Sequence, residues 1–189
     1  MSQSETVSRL GAVSRARIPS RPRAVLVGLP GVGKSTVGAR LAGLLMVPFA
    51  DSDQLVSQAA GRSITEIFDT DGEAAFRKLE TAVVLDALTG FTGVLALGGG
   101  TVTTVEVRRA LAESGLPVVL LTAAESELLY RLRCSPNPRP LLAGDPAGRL
   151  AALAAERAEL YQQVCTLTID TAGRSVGAVA ELIHQELTR

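Results

Sequence analysis

From Ala24 onward, short unbroken apolar runs alternate with longer stretches whose apolar residues recur three and four positions apart. The short runs are AVLVG (24–28), VPFA leading into Asp51 (47–51), GVLALG (93–98), PVVLLT (117–122) and CTLTID (165–170). Each has the length and continuity of a strand covered on both faces. Between them, Val37, Leu41, Leu44 and Leu45 share one helical face, and Val176, Val179, Ala180, Ile183 and Leu187 share another. SITE (63–66) and TAAE (122–125) have the spacing of capping boxes, which predicts helix starts at both. Strands alternating with helices predict an α/β fold with a parallel sheet and crossover helices.

Two helical patterns carry charge where apolar residues belong. In AAFRKLETAVVLDAL, the residues Phe76, Leu79, Val83, Val84 and Ala87 form an apolar arc, with Arg77 and Glu80 inside its edge. At a spacing of three they can pair, Glu80 orienting the guanidinium. In the helix expected from about Ala147 to Val164, Arg157 stands in the middle of the stripe Leu150, Leu153, Leu160, Val164. A charge there needs a partner, either a carboxylate of the protein or a carboxylate of a substrate.

Length and composition bound the rest. The 189 residues, 47% hydrophobic, suit one domain. Residues 1–22, rich in Ser and Arg and without periodicity, are expected to form a flexible arm, leaving 23–189 as the domain. The stretch 135–148 carries four prolines and two glycines between helical patterns, the makings of a mobile lid over about 134–148. Basic and acidic residues balance at 19 each, so no net field favours nucleic acid or a membrane surface, and a small molecule is the expected partner. Cys134 and Cys165 lack metal spacing and read as free thiols. No apolar run reaches the ~18 residues of a span, nor do the first twenty residues contain a signal core, and the expected location is the cytoplasm. The single histidine, His184, falls in the last helix, away from any candidate site.

GLPGVGKST (28–36) supplies the clearest chemistry. It satisfies GxxxxGK[ST] through Gly28, Gly33, Lys34 and Ser35, and it lies between a predicted strand and an amphipathic helix. Glycines let successive N–H groups converge on phosphate oxygens, the helix aims its positive end at them, and Lys34 reaches the outer phosphates. Ser35 is the natural Mg²⁺ ligand. Only Lys34 and Lys78 break an otherwise all-arginine set of basic residues, and a compact ammonium fits a phosphate cradle as a planar guanidinium does not. A glycine-rich turn capping an ordinary helix is the plainer alternative.

Asp51 and Asp53 stand two apart at a strand end, so extended geometry would put both carboxylates on one side, close enough to need cations beside them. An N-cap for the following helix is the competing role. Gly98, Gly99 and Gly100 follow the third strand at its carboxyl end, where backbone can approach a ligand. Arg139 lies in the lid stretch, able to swing onto a transferring phosphoryl group.

GLPGVGKST, DSD, SITEIF, FRKLE, LGGG, RPLL and ERAELY, in this order and spacing from about Ala24 to the C-terminus, resemble the shikimate kinases. The resemblance implies a P-loop NTPase fold of the nucleoside-monophosphate-kinase type, a five-stranded parallel sheet flanked by helices. It implies transfer of the ATP γ-phosphoryl to the 3-hydroxyl of shikimate in aromatic amino-acid biosynthesis, by an enzyme expected to be a monomer. Carried over by residue, it makes Gly31, Val32, Gly33, Lys34, Ser35 and Thr36 the ATP phosphate loop, with Ser35 on Mg²⁺ and Asp51 reaching the metal through water. Asp53 would hold the acceptor hydroxyl and stand as candidate base. Arg77 and Arg157 would grip the carboxylate, Glu80 orienting Arg77, with Gly98, Gly99 and Gly100 lining the pocket and Arg139 serving as lid arginine. Arg174 is the candidate adenine contact, one position from where the family's arginine aligns, a place taken here by Gly173. A gluconate or nucleoside-monophosphate kinase and a catalytically silent nucleotide-binding regulator are the competing readings.

Overall fold

The computed structural model describes residues 21–134 and 145–189. Chain order gives β1 (Ala24–Val27), α1 (Lys34–Leu45), β2 (Phe49–Asp51), α2 (Ser52–Ala60), α3 (Ile64–Gly90), β3 (Val94–Ala96), a 3-10 turn (Thr101–Thr103) and α4 (Val105–Ser114). β4 (Val118–Thr122), α5 (Glu125–Arg133), α6 (Pro146–Val164), β5 (Leu167–Asp170) and α7 (Val176–Leu187) complete it. All five predicted strands form one parallel sheet in the order β2-β3-β1-β4-β5.

Strand alternation divides the core. Ala24 and Leu26 of β1 face one layer with Leu41, Leu128, Val179 and Ile183; Val25 and Val27 face the other with Val84, Leu95, Leu111 and Tyr161. Each strand of the sheet centre is therefore apolar at every position. A third, smaller cluster of Val56, Ile67 and Phe76 joins α2 to α3, outside the sheet, and steadies the helices that carry the acceptor side.

β1 sits centrally with β3 on one side and β4 on the other, so its carboxyl end opens where the strand order reverses. Ligands of open α/β sheets enter at such a point. The loop after β1, the end of β2 and the glycines after β3 all emerge there.

Of the two predicted capping boxes, one forms and one does not. Ser63 forms the capping box with Glu66, its Oγ accepting the Glu66 N–H at 3.2 Å and its own N–H donating to Glu66 Oε2 at 2.7 Å. TAAE does not form one: Thr122 is still the last residue of β4, bonded into the ladder beside β5, and α5 starts at Glu125 behind Ala124 without a side-chain cap. Sheet pairing outweighed the cap because a ladder position was available to Thr122. In α3 the helix breaks once, at Gly72 (φ 80°, ψ 172°), where Arg62 ties back to Thr70 and Asp71. The expected lid, apart from Cys134 and 145–148, and the arm, apart from its last two residues, lie outside the described residues.

Candidate active site

The loop after β1 holds Gly28, Gly31 and Gly33 at φ 142°, 83° and 100°, conformations closed to most side chains. A Cβ on Gly28 would lie 2.5 Å from the Leu121 carbonyl oxygen of β4, and one on Gly31 would lie 2.8 Å from Leu132 of α5. The loop is therefore clamped between β4 and α5 just ahead of the N-terminus of α1. That first turn contains no acidic residue to compete with an anion. Lys34 folds back over the loop, its Nζ donating to the carbonyls of Gly28 at 2.8 Å and Leu29 at 3.1 Å. Its ammonium thus sits at the cradle rather than in solvent.

Ser35 Oγ donates to Asp51 Oδ2 at 2.5 Å, joining the first turn of α1 to the end of β2. The described residues hold no group of three His, Cys, Asp or Glu side chains for a metal. Two oxygens beside a phosphate cradle nonetheless fit Mg²⁺, which keeps waters and takes its remaining ligands from phosphates.

Asp53 is not extended. Asp51 ends β2 and caps α2, its Oδ1 accepting the Asp53 N–H at 3.0 Å, so the strand period predicted for the pair stops at Asp51. Ser52 between them is fully buried and accepts the Gly98 N–H at 2.8 Å, which pins the glycine turn to the start of α2. The two carboxylates still share the sheet edge, because Asp53 Oδ1 comes within 2.7 Å of where a Cβ on Gly98 would stand.

The glycine turn is crowded on every side. A Cβ on Gly98 would also meet Glu80 Oε1 at 2.9 Å, one on Gly99 would meet Pro30 at 3.1 Å, and one on Gly100 would meet the Arg77 guanidinium at 2.7 Å. Arg77 Nη1 donates to Glu80 Oε2 at 2.8 Å, and Thr101 Oγ1 donates to Glu80 Oε1 at 2.7 Å, so the buried glutamate links helix and turn. Burial works against the Arg77 charge, yet the bond and field of Glu80, joined by Glu73, more than offset it and raise its pKa above the ordinary arginine value. The pairing predicted for Arg77 and Glu80 is thus present.

Arg157 is 5% exposed in α6, and among the described residues its Nε alone is a buried side-chain polar atom without a hydrogen-bond partner. Together with Arg77 it lines a cavity of about 400 Å³ between α3, the 3-10 turn and α6. One turn further, Tyr161 donates its hydroxyl to the Gly99 carbonyl at 2.7 Å. Burial, against the pull of the Arg157 charge, pushes this phenol up to about 12, so it keeps the proton it donates.

Residues 30–188 match the family model described as shikimate kinase. The shikimate kinase of Mycobacterium ulcerans is 51% identical over 167 residues, covering 88% of this chain and 89% of that protein. The chain belongs to the shikimate kinase family. Among solved structures, the shikimate kinase of Acinetobacter baumannii, in complex with shikimate, aligns with a TM-score of 0.80 at 35% identity, covering 90% of this chain and 94% of that one. A gluconokinase from Sinorhizobium meliloti shares the fold, at a TM-score of 0.57 and 21% identity, over 90% and 94% of the two chains. The P-loop fold of the nucleoside-monophosphate-kinase type is thereby established.

Within this shikimate kinase fold, the predicted residues Gly31 to Thr36, Asp51, Asp53, Arg77, Glu80, Gly98 to Gly100 and Arg157 gather at one edge of the sheet. Arg139 lies outside the described residues. Arg174 is exposed in the turn between β5 and α7, with Gly173 at φ 63°. Sequence reasoning missed four supports: Ser52, Thr101, Tyr161 and Arg131. Arg131 of α5 donates to the Val32 carbonyl at 3.3 Å and to Thr171 Oγ1 at 2.9 Å, tying the phosphate loop to the loop after β5. Its i,i+4 spacing from Glu127, with which it pairs at 2.6 Å, was the available signal. The three hydroxyls carry none, since nothing in their spacing separates them from ordinary Ser, Thr and Tyr.

Proposed function

We propose that this chain transfers the γ-phosphoryl of ATP to the 3-hydroxyl of shikimate, with the phosphate cradle and the acceptor cavity served by the residues gathered at the sheet edge. Mg²⁺, when bound beside Ser35 and Asp51, neutralises charge on the outer phosphates. The amides of Gly31, Val32, Gly33, Ser35 and Thr36 hold the phosphate oxygens, and Lys34 leaves its two carbonyls to meet the transferring group. Asp53 holds the acceptor hydroxyl and takes its proton as that oxygen bonds to phosphorus and ADP departs. Arg77, oriented by Glu80, and Arg157 grip the acid, and Gly98, Gly99 and Gly100 form the pocket floor. Arg139 and Arg174 complete the nucleotide side, as lid and adenine contacts, in a cytoplasmic monomer whose domain starts near residue 23. Positioning and charge supply most of the acceleration of a phosphoryl transfer, which suits a site without an imidazole.

The unpartnered Nε of Arg157 is the observation that carries this reading. A buried guanidinium N–H without a partner, on a residue that lines a small cavity, calls for an anionic ligand. Gluconate and nucleotides are anions too, and the match to the shikimate kinase family is what favours shikimate among them. An ADP-release assay over shikimate, quinate, gluconate and nucleoside monophosphates tests it. Turnover with shikimate foremost is expected, and Lys34→Met should nearly abolish kcat. ATP binding with no turnover on any acceptor would favour a silent regulator.

A further inference from the structure

Each of the three guanidinium nitrogens of Arg77 donates to a carboxylate. Nη1 belongs to Glu80, whose side chain is 2% exposed and is held from its other oxygen by Thr101. Nε and Nη2 both reach a single oxygen of Glu73, at 3.3 and 3.2 Å, and that side chain is 61% exposed. The Nε/Nη2 edge is one that a carboxylate takes in a bidentate fork. Glu73 therefore occupies a carboxylate position, loosely and from solvent.

Arg157 has a looser counterpart. The nearest acid to its Nε is Glu156 Oε1, at 3.7 Å, beyond hydrogen-bond length, on a side chain 56% exposed. Glu73 and Glu156 line the same cavity as Arg77, Thr103, Arg149 and Arg157. Glu73 is not needed to orient Arg77. The buried Glu80, the Phe76 ring 5.2 Å from the guanidinium carbon and the backbone of Gly100 already fix that group.

We propose that Glu73 and Glu156 are resident counter-ions of the two acceptor-facing arginines, displaced by the carboxylate of the incoming substrate, and that their competition sets the affinity for that acid. This rests on the assignment of Arg77 and Arg157 to the acceptor carboxylate. In the empty enzyme the pairs moderate the repulsion between neighbouring guanidinium groups. On binding, the acid exchanges one anion for another, so part of its charge-assisted attraction is offset by the pairs that open.

Glu73→Gln, Glu156→Gln and the double variant test this through the shikimate KM, with the ATP KM as internal reference and calorimetric binding of shikimate and its methyl ester alongside. Each exposed pair is of the weak kind, so each single variant should lower the shikimate KM about threefold and the double variant further, on the order of tenfold. The ester, lacking the anion, should bind the double variant no better than the parent enzyme. A shikimate KM unchanged or raised in the double variant would overturn the proposal, as would an equal gain for the ester. Arg157→Ala separates the underlying assignment. If it leaves shikimate KM untouched, the carboxylate grip itself fails; if it raises KM while the glutamine variants do nothing, only the counter-ion role fails.

Discussion

At Gly100 a single hydrogen decides whether Arg77 can lie where Glu80 holds it. A Cβ there would meet Nη2 at 2.7 Å and Nη1 at 2.8 Å, and the guanidinium cannot swing away without leaving the buried glutamate. Gly100→Ala should therefore raise the shikimate KM by about tenfold or more, the loss of a charge-assisted contact, and also lower thermal stability, because the displaced guanidinium leaves Glu80 buried without its ion-pair partner. Steady-state kinetics with shikimate varied check this. Arg157→Ala removes the second cation and should cost ~1.5–3 kcal/mol in the same parameter, with kcat less affected. At this scale the sequence was informative wherever a residue type broke its surroundings: a lone lysine in a glycine run, or arginine inside an apolar stripe. It was silent on Ser52, Thr101 and Tyr161, whose hydroxyls brace the glycine turn. Asp53 reaches the sheet edge by a different route from the extended pair expected, since Asp51 turns the chain into α2 before a second extended residue can form.

Elements were legible in proportion to the continuity of their apolar surface. The inner strands could be read because a strand covered on both faces is apolar along its length. β5, at the sheet edge, alternates half-buried Leu167 and Ile169 with exposed Thr168 and Asp170, so it is not covered on both faces as its run suggested. α4 buries only Val107 and Leu111, a stripe too thin to announce itself. The C-cap of α1 is also hidden, for the left-handed residue there is Met46 (φ 53°) and not a glycine. Within α1 two glycines make opposite predictions. Nothing lies within 4 Å of a Cβ on Gly43, whereas one on Gly38 would meet the Phe49 ring at 2.5 Å. Gly43→Ala should stabilise the fold by ~0.5–1 kcal/mol through helix propensity, and Gly38→Ala should destabilise it by prying α1 from β2. Urea unfolding monitored by circular dichroism distinguishes them. α6 adds a pH signature through Tyr161. Its phenol is raised from 10.0 to about 12 by burial, so both states keep the proton below the ordinary value, whereas above it the unfolded chain ionises first. Stability should fall between pH 10 and 12, and Tyr161→Phe should flatten that part of the fall. An unchanged slope in the variant would assign it to other groups.

For the molecule as a whole, strand order brings the chemistry together. With β1 between β3 and β4, the phosphate loop opens beside the glycine turn after β3, and β2 beyond delivers Asp51 and Asp53 to the same edge. Parallel strands and crossover helices were readable from the alternation of patterns, but their lateral order was not, because apolar runs of similar length pair equally well in many orders. α3 brings Arg77 and α6 brings Arg149 and Arg157 to one cavity, and Arg77 lies against Gly100 of the glycine turn. Two substrates are thus expected in adjoining hollows. A crystal structure of the chain with shikimate, a non-hydrolysable ATP analogue and Mg²⁺ tests this most directly. The account predicts the acid's carboxylate within hydrogen-bond distance of both Arg77 and Arg157, with Mg²⁺ at Ser35 and the reacting hydroxyl beside Asp53. An acceptor bound with both arginines turned away from its carboxylate would contradict it.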